Sequence, residues 1–578
     1  MIWKNVFARI LRRFAMGNCR FKVQGLLALG LATILILSGC GRREPRADVV
    51  IINGTDPESL DPAIITALED YRIVPGLFEG LTRIDPVNAQ AIPGLAERWD
   101  VDEGGRAYLF YFRPGLRWST GDPLTAHDVV FSWLRLLDPR TAADYAAQLY
   151  CVKNGEAYST NGITDASRVG IRAIDDLRLR VELNHPVPYF LDLCASPTLS
   201  VVPRKTIEAL GDQWLQARPL PSSGSHTLEI WRLNDKIRFR KNPLYWDAAN
   251  TANNTVEFLP VGSPATALNL YERGAADIIW DKDLVPAELL KDLKQRPDFH
   301  DFPYIGTYFV RFNTTRPPFH DARVRRALAL AVDKRRIVER IIKGGESPAG
   351  HLVPTGVANH LAPESLGQDE AAARRLLSDA GFPQGEGFPV FEYLFDSAAG
   401  GGSKVHAKIG VELQEMWRRE LGVRMELRQM EKKVYLAAQT GLDYDLSRSS
   451  WVGDYNDPNT FLDLFLSNNG NNRTGWKDER YDGLMRQANV EQNPRRRSEL
   501  LRQAESILVA EEAVVIPLYF YRGFQFYDAN RISGIHGNIL GMNPVRTIRN
   551  SEATRTNGGV VHDRDARASA AAGAGKPQ

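Results

Sequence analysis

Arg448, Trp451, Asp454, Tyr455 and Asp457 share one short stretch, Arg448-Ser-Ser-Trp-Val-Gly-Asp-Tyr-Asn-Asp-Pro458, just ahead of the apolar run Phe461–Leu466. Asp457 has an ordinary use. An Asp caps a helix well and a Pro suits its first turn, so Asp457 is expected to cap the helix that follows. Asp454 has no such visible use. A carboxylate among aromatic rings, with a guanidinium six positions upstream, suits a zwitterion. Asp454 would take an ammonium and Arg448 a carboxylate, or Arg448 would hold Asp454 in place. The bland alternative is a surface turn whose Asp–Arg pair is worth ~0–1 kcal/mol.

Other chemistry is not legible. His-Glu-x-x-His, Gly-x-Ser-x-Gly and the P-loop are all missing from the chain. Gly400-Gly-Gly-Ser-Lys404 has Ser and Lys in the wrong order for a phosphate loop and reads as a turn before a helix through Ile409 and Leu413. The 10 His are scattered, with no close pair on one helical face. His226-x-x-Glu229 has a metal-type spacing that chance readily supplies. Asp454–Asn459 fails as a calcium loop, because its fifth position is Pro and its sixth is not Gly. No catalytic residue, metal or cofactor is expected, and binding leads over catalysis.

Composition agrees with that direction. Lys plus Arg is 72 and Asp plus Glu is 70, without the basic excess of a nucleic-acid binder. At 43% hydrophobic and 25% charged the chain is ordinary globular material. Its 578 residues exceed one core and suggest three or four core-sized units at ~150 residues each. Lys4, Arg9, Arg12, Arg13, Arg20 and Lys22 precede the apolar run Leu26–Leu37. Twelve residues at ~1.5 Å rise cover about 18 Å, short of a ~30 Å hydrocarbon core. A secretory signal peptide is the expectation, an uncleaved anchor the alternative. Leu37-Ser-Gly-Cys40 resembles a bacterial lipobox. That implies a leader over 1–39, Cys40 as the lipidated first residue of the mature chain, and a tether over 40–47. In an oxidising compartment Cys151 and Cys194 are expected to pair, or else to be two buried free thiols.

These residues need a scaffold, and the patterning supplies one. Leu177, Leu179, Val181 and Leu183 alternate with charges, Tyr108–Phe112 is a dense aromatic run, and Ile237 and Phe239 alternate with basic residues; all three read as strands. Asp321, Asp333 and Asp369 each head a helical pattern, the last ending at Gly381 with Pro383 beyond. The fold class is mixed α/β, neither bundle nor sandwich. After about Asn550 the Ala/Gly-rich segment cannot offset its chain entropy, so 550–578 reads as a disordered tail.

The Arg448–Pro458 block resembles the oligopeptide-binding proteins of ABC importers, a family that includes dipeptide and nickel binders. Four further blocks carry the resemblance in order: Asn53–Pro62, Phe112–Trp133, Asn242–Asp247 and Asn313–Leu328. It spans about 48–545. It implies a two-lobed periplasmic-binding-protein fold with a hinge and a third subdomain. Lobe I would comprise 48–85, 205–312 and 525–549, the extra subdomain 86–204, and lobe II 313–524. It implies a short peptide held as an added strand by the backbones of Ser450 and Val452, its ammonium on Asp454, its carboxylate near Arg448, with Trp451 and Tyr455 beside it. Asp56 and Pro57 match the cleft-lining segment of lobe I. The expected protein is a monomeric, non-enzymatic, periplasmic lipoprotein that delivers peptides to ABC permease subunits of the inner membrane. The same fold carrying a nickel chelate, haem, opine or sugar, and an exported hydrolase, are the alternatives. Four departures bear on ligand length and side-chain preference. An aromatic found near Ser223–Thr227 in relatives is absent here, Lys432 stands where some relatives have a pocket aromatic, Pro57 lacks an N–H, and Val452 stands where some relatives have a Cys that forms half of a disulfide.

Overall fold

Val49-Val-Ile-Ile52 (β1) is apolar on both faces and fully buried, the mark of a strand inside a parallel sheet. It pairs in parallel with two later strands, so it lies at the centre of its neighbourhood. The structure, a computed structural model, describes residues 44–286, 288–397 and 402–553. The expected leader, Cys40, most of the tail and Gly400–Gly401 lie outside the described residues. Among the described residues no helix is long and apolar enough to cross a membrane.

The main sheet adds His226–Arg232 (β2), Lys236–Lys241 (β3), Thr255–Leu259 (β4), Ile278–Ile279 (β5), Phe299–Phe312 (β6), Phe391–Asp396 (β7), Met425–Met430 (β8), Leu446–Val452 (β9) and Val515–Phe526 (β10). Its order is β8-β7-β9-β6-β10-β5-β1-β4-β3-β2, with Ser347–Pro348 laid against β10. Two strands are much longer than the rest. At ~3.3 Å per residue, β6 runs about 45 Å. Its first residues, Phe299–Pro303, pair with Arg522–Phe526 of β10, beside the β5-β1-β4 group. After an irregularity between Pro303 and Thr307 it continues against Val515–Phe520 and, on its other side, against β9. β6 and β10 are therefore the twin strands that join two halves, and the broken register lies at the joint. A separate four-stranded sheet, Ala96–Val101, Ala107–Phe112, Arg178–Glu182 and Ile171–Asp175 in that spatial order, stands within 86–204.

The mixed α/β expectation is met, and local chemistry explains most of the elements. Asp321 and Asp369 accept backbone N–H bonds at the starts of helices Ala322–Leu330 and Glu370–Asp379. The second stops where Gly381 takes φ +97°, a conformation that side chains resist. Asp333 caps Lys334–Ile337, which widens into a π-type turn before Gly345. Leu179 and Val181 are fully buried as expected. Leu177 is exposed, because the strand begins one residue later. Arg238, expected on the wet face of β3, is buried instead between Glu229 and Glu257.

One expectation fails here. Cys151 and Cys194 are free thiols, and the disulfide is not formed. The Cys151 Sγ turns to the Gln148 carbonyl at 3.5 Å, while Cys194 is buried at the end of the short Phe190–Leu193 helix. Burial pushes the Cys151 thiol up to about 12, so it stays protonated and unreactive.

Candidate functional site

β9 has one closed edge and one open edge. Along its whole length, Leu446–Val452, it pairs with β6. On the other side β7 reaches only Leu446 and Ser447. In a strand the N–H and C=O of one residue point the same way, and successive residues alternate. The Gly453 N–H donates to Ile305 of β6 at 2.8 Å. The Arg448 carbonyl instead accepts from the Tyr435 hydroxyl and from Gln439 Nε2 at 3.1 Å, away from β6. By alternation, the backbones of Ser450 and Val452 face the open edge. An unpaired strand edge is a template for another strand.

Asp454 stands at one end of that edge. Its N–H is held by the Thr460 hydroxyl at 3.1 Å, which fixes the backbone and leaves the carboxylate free. Among the described residues no Lys, Arg or His pairs with that carboxylate. Solvent reaches it, yet protein surrounds it, and this burial pushes the carboxyl up to about 6. Its neighbours are polar without being cationic. Tyr71 and Tyr145 pack ring to ring at 6.1 Å; burial raises both phenols, followed by the Asp454 charge for Tyr145 and by Tyr145 and then Asp454 for Tyr71. Burial, then the Asp454 charge, pushes Asp463 up to about 7. Asp463 accepts a long bond from Asn459 Nδ2 at 3.4 Å. Two carboxylates and two phenols with no resident cation make a cation-seeking pocket.

The other end is positive. Arg448 Nη1 lies 3.5 Å from Asp396 and its guanidinium 5.1 Å from the Tyr308 ring. Lys432 Nζ reaches the same carboxylate at 3.3 Å. Against the opposing effect of burial, the Arg448 and Lys432 charges hold Asp396 below the usual carboxylate range. His406, 3.9 Å from Asp396, is driven down to about 4 by burial and then by Arg448, so it is neutral. Two cations against one carboxylate leave one surplus positive charge. Arg448 thus pairs with Asp396 and not with Asp454, which removes the reading in which Arg448 holds Asp454.

Some expected site residues have other tasks. Tyr455 is buried in the core and stacked on Tyr189 at 4.5 Å and 6°. The residue after Asp454 points away from it, so Tyr455 does not line the edge. Asp56 accepts from the Asn234 N–H at 2.6 Å, which ties its carboxylate to the β2–β3 turn, and Pro57 is buried. Trp451 is half-buried, with an indole N–H that has no acceptor among the described residues. Asp457 does cap as expected, through Asn459 N–H at 3.0 Å, and it also makes two 2.7 Å bonds with Arg497. Tyr71, Tyr145, Asp396 and Asp463 were not singled out in the sequence. Tyr71, Tyr145 and Asp396 reach the site from distant segments, and Asp463 sits inside an apolar run where no local pattern marks it.

Comparison with known proteins matches residues 90–473 to the bacterial extracellular solute-binding proteins, family 5 Middle. The chain belongs to this family. It is 33% identical over 546 residues to the periplasmic oligopeptide-binding protein OppA of Salmonella typhimurium, covering 91% of this chain and 97% of that one. It is 36% identical to the probable deoxycholate-binding periplasmic protein YgiS of Escherichia coli, covering 81% and 87%. Among solved structures, the unliganded open form of the murein tripeptide-binding protein MppA superposes with a TM-score of 0.75 at 30% identity, over 88% of this chain and 98% of that one. Haemophilus influenzae OppA in complex with the peptide RPPGFSPFR gives 0.71 at 28% identity, over 88% and 99%. The family's two-lobed fold accounts for the twin joining strands β6 and β10.

Proposed function

We propose that this protein captures short peptides from the periplasm and hands them to an ABC permease in the inner membrane. One observation carries the reading: an open strand edge with an unpaired carboxylate at one end and surplus positive charge at the other. A peptide laid antiparallel on β9 would put its ammonium on Asp454 and its carboxylate towards Arg448 and Lys432. The main chain would bond Ser450 and Val452, which gives affinity without reading side chains. Arg448 to Val452 plus the turn to Asp454 spans about 20 Å, a length that suits a few extended residues. An ammonium enclosed there loses water, which costs several kcal/mol if it stays unpaired, and a charge-assisted bond to Asp454 offsets that cost.

In this reading 48–85, 205–312 and 525–549 form lobe I, 86–204 the extra subdomain and 313–524 lobe II. Closure about β6 and β10 encloses the peptide, and the closed form is what the permease meets. A Cys40 lipid anchors a monomer that needs no cofactor and catalyses nothing. The deoxycholate binder among the relatives raises a second ligand class. A bile acid has a carboxylate and no ammonium, so it would leave Asp454 uncompensated; the geometry favours a zwitterion. Native mass spectrometry of the protein purified from its host tests this. Adducts with the masses of peptides of a few residues are expected, and a steroid or metal-chelate mass in their place refutes the reading.

A further inference from the structure

Away from the β9 edge, three side chains from distant parts of the chain converge. His351 and His360 lie in the loop after Ser347–Pro348, and Glu505 lies near the end of the Pro494–Ser506 helix. One donor atom from each falls within 4.8 Å of the other two. Both histidines are half-buried and Glu505 is fully buried. Among the described residues no Lys or Arg pairs with Glu505; its only ion-pair partner is His360, with Nε2 2.7 Å from Oε2.

The surrounding bonds present these groups as ligands. His351 Nδ1 lies 2.7 Å from the Val353 carbonyl, and a carbonyl only accepts, so Nδ1 carries the proton and Nε2 keeps its lone pair. Glu505 Oε1 accepts the backbone N–H groups of Leu352 and Val353, both at 2.8 Å, which leaves Oε2 turned to the histidines. Outer bonds of this kind orient metal ligands. The backbone is anchored as well. The Thr307 hydroxyl of β6 donates to the Leu352 carbonyl at 2.7 Å, and the His351 ring lies 5.0 Å from Phe520 of β10.

We propose that His351, His360 and Glu505 form a divalent-cation site of the zinc type, separate from peptide capture. Two imidazoles and one carboxylate are a zinc donor set, with the fourth position left to water. Tetrahedral ligands at ~2.1 Å from the metal stand about 3.4 Å apart, so small side-chain rotations close the 4.8 Å cluster around an ion. The competing arrangement is a buried His360–Glu505 pair in which His351 takes no part. Replacing His351 separates the two, because it removes a ligand and leaves that pair intact.

The test is a Zn2+ titration of untagged, chelator-stripped full-length protein, by competition with a chromophoric chelator and by thermal shift. One equivalent bound at micromolar or tighter affinity is expected. His351→Ala should weaken it at least tenfold and lose the Zn2+-induced rise in Tm, with an unchanged circular dichroism spectrum. Glu505→Gln, if it folds, should do the same. Absence of stoichiometric Zn2+ binding by the wild type overturns the site, and so does His351→Ala binding Zn2+ as tightly as the wild type.

Discussion

Asp454 carries the account because it is a carboxylate in the wrong ionisation range for its type. With its carboxyl raised to about 6, the ligand-free protein takes up a proton as pH falls through 6. An ammonium favours the ionised form, so binding should release protons near pH 6. Affinity should be highest between about pH 6 and 8, fall by up to ~10-fold per unit below 6, and fall again above about 8 as the peptide's own ammonium loses its proton. Calorimetry in buffers of different ionisation enthalpy measures both, and Asp454→Asn should flatten the profile. The stability effect has the opposite sign. A carboxyl raised in the folded state stabilises fully below its unfolded value and loses that contribution as pH rises through the folded value. Asp70 and Asp192, raised to about 6, and Asp463, raised to about 7, add in the same sense. Ligand-free Asp454→Asn should therefore melt above the wild type at pH 7.5, and a lower Tm there would contradict this account of the site. Asp457 is the contrasting case. Its charge is spent on Arg497 inside the protein. Arg497→Met should cost about 3–5 kcal/mol in urea unfolding, because it strands a buried carboxylate.

At the scale of elements, the strand matters more than its side chains. Ser450 and Val452 contribute backbone, so a ligand lacking the matching N–H should suffer. A tripeptide N-methylated at its second residue should bind about tenfold more weakly than the parent in calorimetry, and equal affinity would remove the strand-addition geometry. Tyr455→Phe should bind like the wild type, since that ring is committed to Tyr189. Much of this level was legible in the sequence. Caps at Asp321, Asp333, Asp369 and Asp457 follow from local chemistry, and the strands at 107–112, 178–182 and 236–241 follow from alternation. Tyr455 was misread because adjacency in sequence to Asp454 does not fix which way a ring points after a turn. Arg448 was given two possible partners, and its actual one, Asp396, lies on a neighbouring strand 52 positions away. The His351, His360 and Glu505 cluster escaped for the same reason. No helical spacing relates its members, and only the tertiary fold brings a loop to the end of a helix.

For the whole molecule, function rests on two strands that cross between halves. β6 and β10 lose register between Pro303 and Thr307, next to Gly306, where an added Cβ would come 2.4 Å from the Tyr521 ring. Gly306→Val should therefore disturb the joint. Small-angle scattering should show the wild type contracting on peptide addition and this variant contracting less, with circular dichroism confirming that it is folded. A joint of this kind is hard to read from sequence, because a long apolar strand looks the same whether it serves one sheet or two. The central claim is that a cation-free carboxylate at position 454, reached by solvent but ringed by protein, fixes the peptide's amino end. The most direct measurement compares the affinities of one tripeptide with a free and with an acetylated amino terminus, for the wild type and for Asp454→Asn. The wild type should prefer the free amine by about 30–100-fold, the scale of one charge-assisted hydrogen bond, and the variant should bind both forms equally weakly. Equal affinity of the wild type for the two peptides would contradict the account.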